Sequence, residues 1–162
     1  MMHFIPAAVA LCAFVFSAQM SHAQDVNSAV LTIDGKIEGG AARDFSIGEL
    51  EALGMTVIET TTPWHDGKIK FEGVPLQRLM KHVGASGETA AVLALNNYRT
   101  EVPLSDFAAY SVILATKKDG AYMPVSEKGP FFIVYPFDSF KELKSELYYS
   151  RSAWQVRSIT IE

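Results

Sequence analysis

The single cysteine of this chain, Cys12, lies within an apolar run from Phe4 to Phe16, and no thiol follows it. Such a run is too short to cross a bilayer as a helix and has the length of a signal-peptide core, while Ser21 and Ala23 place small residues at signal-peptidase spacing. Cleavage is expected after Ala23, with export to a bacterial periplasm. Leu11 precedes Cys12 where a lipoprotein signal has a small residue, so the expected product carries no lipid. Residues 24–162 then form a chain without disulfides that must rely on its own hydrophobic core. Thiolate catalysis, cysteine-ligated zinc, iron–sulfur clusters and covalent haem are all closed to it. A hydrophobic content of 49% supplies the core. The formal net charge of −4 offers no basic stripe for phosphates, which argues against nucleic acid as a partner. After the leader no segment sustains 18 apolar residues, so one soluble domain is expected.

Local patterns place the elements. Val30 to Gly35 alternates and ends in a turn pair, as a half-buried strand does. Ser46-Ile47-Gly48-Glu49 is a capping box, with Phe45 and Leu50 set as a hydrophobic staple, so a short helix starts there. The β-branched run Thr56 to Thr62 reads as a strand that breaks at Pro63. From Pro75 to Gly84, the spacing of Leu76, Leu79, Met80 and Val83 predicts an amphipathic helix opened by proline and closed by glycine. Val92–Leu95, Val112–Ala115 and Phe131–Tyr135 read as buried strands, and Lys118-Asp119-Gly120 as a hairpin turn. Ser139-Phe140-Lys141-Glu142 predicts a second capped helix to about Leu147, and Ile159–Ile161 a closing strand. Irregular alternation with short connections gives an α+β class with a mixed β-sheet and short helices.

Few residues suggest catalysis. His82 lies on the polar flank of the amphipathic helix, and His65, beside Asp66, has no second histidine with which to hold a metal. No nucleophile elbow accompanies them, so neither catalytic nor metal-ligating residues are expected. Aromatic residues gather instead in loop-like segments: Trp64 after Pro63, Tyr98 after Asn96-Asn97, and Tyr148, Tyr149 and Trp154 around Arg151. A flat heteroaromatic ligand needs such stacking faces with a few in-plane polar partners. Trp154 reads more readily as core, whereas Trp64, flanked by Pro63 and His65 and followed by an expected turn at Asp66-Gly67, belongs to no apolar period.

Trp64, Asp66-Gly67 and Phe71-Glu72-Gly73-Val74-Pro75-Leu76-Gln77-Arg78-Leu79-Met80 resemble the W-x-G … W/F-x-G-V-P-L-x-x-L-L run of the oxidoreductase molybdopterin-binding domain, the sulfite-oxidase-like fold. Tyr98 to Leu104, Ile113-Leu114-Ala115, Asp119 to Pro124, Lys128 to Pro136 and the closing Trp154-Gln155-Val156 with Ile159 keep that family's order. The resemblance implies a pterin cofactor. In catalytic members a cysteine just after the Thr56–Thr62 strand holds molybdenum, and here that place carries threonine hydroxyls, so molybdenum is not expected. The chain is similar to short exported versions of the domain that bind a pterin and report to the periplasmic region of a membrane-bound diguanylate cyclase/phosphodiesterase receptor. On that likeness Trp64 would stack on the pterin, Asn97 and Tyr98 would meet its edge, and Arg151 would face its polar substituents. Glu59 or Glu127 would accept from its amino-pyrimidinone edge. The alternatives are a molybdenum-cofactor oxidoreductase of atypical ligation and an interaction domain that binds only protein.

Overall fold

The Ser46 hydroxyl accepts the N–H of Glu49 at 3.2 Å, and the Glu49 carboxylate accepts the N–H of Ser46 at 2.8 Å, so the capping box closes as its sequence requires. The structure is a computed structural model and describes residues 30–162; the expected leader and its cleavage site lie outside the described residues. The box opens helix α1 (Ile47–Ala52), whose Ile47 and Leu50 are buried.

Two sheets surround the core. The first contains β1 (Val30–Gly35), β2 (Arg43–Ser46), β5 (Thr89–Ala94), β6 (Arg99–Pro103) and β10 (Val156–Ile161), in the order β2-β1-β10-β5-β6. In it β1 and β10 run parallel and the other pairs antiparallel, which makes the sheet mixed. The second has the order β3-β4-β7-β8, from β3 (Thr56–Thr62), β4 (His65–Pro75), β7 (Ile113–Lys118) and β8 (Ala121–Tyr122), with β9 (Phe132–Val134) also paired to β7.

Two strands end in Val-Pro and pass directly into helices that begin with leucine. Pro75 and Pro103, both at φ −59°, hold the extended conformation just before α2 (Leu76–His82) and α3 (Leu104–Ala109). Proline fits there because its fixed φ suits the entry and the first helical turn needs no N–H from it. Leu76, Leu79, Met80 and Val83 are all buried, so α2 presents the stripe its spacing predicts to the main core. Gly73, in the same motif, lies so close to β7 that a Cβ would collide with the Leu114 carbonyl oxygen.

Two readings require correction. Ser139 does not open a helix: its N–H bonds the Pro136 carbonyl at 2.9 Å, a 3-10 turn follows at Lys141–Leu143, and α4 spans only Glu146–Arg151. The preceding residue explains this, because Asp138 is tied to Thr60, Thr61 and Lys144 and Leu143 is buried, so the segment docks on β3 before it can coil. Likewise, Asp66-Gly67 is not a turn but the start of β4, and the hairpin turns at Pro63–Trp64, with Thr62 opposite His65.

Candidate functional site

Trp64 occupies the tip of the β3–β4 hairpin. The Thr62 hydroxyl accepts the Trp64 N–H at 3.3 Å and lies 2.8 Å from His65 Nδ1, which fixes the turn. From there the half-buried indole meets Trp154, Phe132, Tyr149 and Phe137 edge to face, with ring centroids 5.2, 5.8, 5.9 and 6.3 Å away. On the opposite side, Asn97 at φ 65° turns β5 into β6 and sets Tyr98 against α4, where its hydroxyl donates to the Ser150 carbonyl at 2.7 Å.

These segments enclose a cavity of about 260 Å³ lined by Trp64, Asn96, Tyr98, Glu146, Tyr149 and Trp154, with Ser150, Ser152 and Ala153 completing the wall. Beyond the cavity Lys128 stands 4.3 Å from the Trp154 ring centroid, a cation–π contact. A second cavity of about 190 Å³ shares Tyr149 and reaches the end of β3 at Thr61 and Thr62. A larger groove of about 560 Å³ runs along β5, β6 and β10 of the first sheet, but its lining of Ala91, Val92 and Leu93 with Ser, Thr and charged residues has no aromatic ring, so it lacks the stacking surface a flat ligand needs.

Of the residues singled out in the sequence, Trp64 and Tyr98 line the aromatic cavity, and at the β-turn Asn96 lines it in place of its neighbour Asn97. Arg151 is turned away, its guanidinium 2.9 Å from Asp106 Oδ2, which also accepts the buried Tyr135 hydroxyl at 2.8 Å. Burial and that bond to Asp106 raise the Tyr135 phenol far above its ordinary pKa. Glu59 stands exposed on β3 opposite Lys70, and Glu127 is paired with Lys118 at 2.8 Å. The bond from Lys118 and its charge hold the Glu127 carboxyl below its usual range. Neither acid reaches the cavity; Glu146 does. No local pattern marks Glu146, since α4 starts there only because the chain first docks on β3.

The three hydroxyls at the end of β3 are all committed. Thr60 accepts the Asp138 N–H at 3.1 Å and donates to the Thr61 carbonyl at 3.2 Å; Thr61 donates to Asp138 Oδ1 at 2.6 Å; Thr62 pairs with His65. Burial first, then the charges of Lys118 and Lys128, push the His65 imidazole below its ordinary pKa. Among the described residues no group of three or more His, Cys, Asp or Glu side chains is placed to hold a metal ion, and no helix is long and apolar enough to cross a membrane.

Among solved structures, the sulfane dehydrogenase SoxCD from Paracoccus pantotrophus matches with a TM-score of 0.64 at 18% identity, over 84% of this chain and 38% of that one. The likeness is one of fold, and this chain spans well under half of that protein. No curated protein sequence matches. The family model for the oxidoreductase molybdopterin binding domain matches residues 22–141, a stretch that includes the Trp64 hairpin and the Tyr98 turn. With most of its length under that model and the fold in agreement, the chain belongs to the oxidoreductase molybdopterin-binding domain family.

Proposed function

We propose that this domain binds a free pterin in the aromatic cavity, works in the periplasm, and passes the bound state to the periplasmic region of a membrane receptor of the diguanylate cyclase/phosphodiesterase type. The observation that carries the reading is the convergence of Trp64, Tyr98, Tyr149 and Trp154, drawn from three separate segments, around one cavity in a molybdopterin-domain fold. A pterin is planar, so aromatic faces hold it by stacking while a few polar groups orient it.

The donor set at the end of β3 does not fit a molybdenum centre held through the protein. Such a site depends on a soft, deprotonated sulfur, and Thr60, Thr61 and Thr62 offer hard neutral hydroxyls already spent on Asp138, the Thr61 carbonyl and His65. No redox step is therefore assigned to these residues.

The test is protein purified gently from its own periplasm, examined by absorption and fluorescence and by metal analysis. The expected result is a retained pterin with no stoichiometric molybdenum. Stoichiometric molybdenum would favour an oxidoreductase of atypical ligation, and failure of added pterin to bind would leave a domain whose grooves take only protein. The relay is tested by measuring affinity for the receptor's periplasmic region with and without pterin; a ligand-independent affinity would remove it.

A further inference from the structure

The polar groups around the aromatic cavity divide into spent and unspent. The Ser150 hydroxyl donates to the Leu147 carbonyl at 2.7 Å, the Ser152 hydroxyl to the Tyr148 carbonyl at 2.9 Å, and the Tyr98 hydroxyl to the Ser150 carbonyl at 2.7 Å. The Asn96 side-chain oxygen accepts the Tyr98 N–H at 3.0 Å, leaving its amide nitrogen to donate. Glu146 has no hydrogen bond or ion pair among the described residues, and it is the sole charged side chain among the described residues lining the cavity. Of the cations around this part of the chain, Arg151 is held on Asp106, Lys144 on Asp138 and Lys128 over the Trp154 ring, and none of the three lines the cavity.

An unspent carboxylate beside stacked rings has a specific complement. It accepts two parallel N–H bonds best, and a planar ring offers them when an amino group and a ring N–H are adjacent, as they are at N2 and N3 of a 2-amino-4-oxopteridine. The neighbouring O4 of that ring is an acceptor, which suits the free Asn96 amide. A phosphate or carboxylate on the ligand's tail would meet the charge of Glu146, the one charged side chain among the described residues lining the cavity, which penalises it.

We infer that Glu146 is the specificity-determining residue of the cavity, selecting a 2-amino-4-oxopteridine with an uncharged tail and rejecting both 2-oxo analogues and acidic or phosphorylated pterins. The inference rests on the pterin reading above and narrows it to one edge and one charge class.

The test titrates the full chain and its Glu146→Gln variant with pterin, lumazine, which carries oxygen in place of the 2-amino group, and pterin-6-carboxylate, following binding by ligand fluorescence. Glu146 is exposed at the first turn of α4, so the variant is expected to melt with the parent. The parent should bind pterin at least about tenfold tighter than either analogue, because a site built to pair an N–H rejects a ligand without it. In Glu146→Gln, pterin should weaken by about tenfold or more, and the discrimination against the carboxylate should shrink. Equal binding of pterin and lumazine by the parent, or unchanged discrimination in the variant, would overturn the role of Glu146 while leaving the pterin reading intact. Binding of none of the three by the parent would overturn the pterin reading, and this inference with it.

Discussion

Thr61 and Asp138, separated by 77 residues, are joined twice: the Thr61 N–H donates to Oδ2 at 2.8 Å and its hydroxyl to Oδ1 at 2.6 Å. The pair laces the open edge of β3 to the segment leading to α4. Lys144, bonded to Oδ1 at 2.8 Å, lowers the Asp138 carboxyl most, followed by the Thr61 hydroxyl and N–H. A carboxyl depressed in the folded state adds stability above its unfolded pKa of about 4 and loses that stability as pH falls toward the folded value. Asp138→Asn is therefore expected to lower stability at pH 7 by about 1–2 kcal/mol, at the low end for charged hydrogen bonds because Lys144 is half exposed. Thermal melts from pH 7 to pH 2 should show the gap between parent and variant closing below about pH 4. A gap that stays constant would mean Asp138 does not act through its charge.

Arg151 is expected to serve the fold rather than the ligand. Its guanidinium and Asp106 are 17% and 11% exposed, so removing one charge strands the other. Arg151→Met should cost roughly 3–5 kcal/mol, whereas adding Asp106→Asn removes the stranded charge yet keeps an acceptor for the Tyr135 hydroxyl. The double variant should be more stable than Arg151→Met alone in chemical denaturation. Simple additivity of the two losses would show the pair is not coupled.

Leu79 is fully buried at the centre of the α2 stripe. Leu79→Ala should cost about 2–5 kcal/mol, part lost transfer energy and part cavity, with ligand affinity per folded molecule unchanged. A melting temperature equal to the parent's would contradict the packing of α2.

Tyr98 separates binding from stability, because it is 42% exposed and still lines the cavity. Tyr98→Ala is expected to weaken pterin binding about ten- to a hundredfold, the loss of ~1–3 kcal/mol of stacking measured for bases on aromatic rings. Tyr98→Phe keeps the ring, loses the bond to the Ser150 carbonyl, and should retain affinity at a cost of about 1 kcal/mol in stability. Trp64→Ala should lower both affinity and melting temperature, since Trp64 lines the cavity and also packs on the buried Phe132 and Phe137. Titration calorimetry beside thermal melts distinguishes the three variants.

The sequence by itself determined what neighbouring residues decide among themselves. The Ser46–Glu49 box, the Pro-led α2 with its buried stripe, the Asp119-Gly120 turn between β7 and β8 and the alternating β1 all follow from hydrogen bonds and periods spanning a few residues. The family motifs were legible for the same reason, because Gly73-Val74-Pro75-Leu76 is a local solution to ending a strand against β7 and starting a helix. Tertiary structure alone decided the cavity. Asp138 is captured by β3, which cancels the helix that Ser139 promises locally and delays α4 to Glu146; α4 then meets the Tyr98 turn through Ser150, 52 residues away. Glu146 thereby enters the site while Glu59 and Glu127 stay outside, and Arg151, one turn and a half further on, is drawn inward by Asp106. Nothing in a window of neighbouring residues distinguishes one glutamate from another; the choice is made by contacts whose partners are brought together only when the two sheets close on a common core.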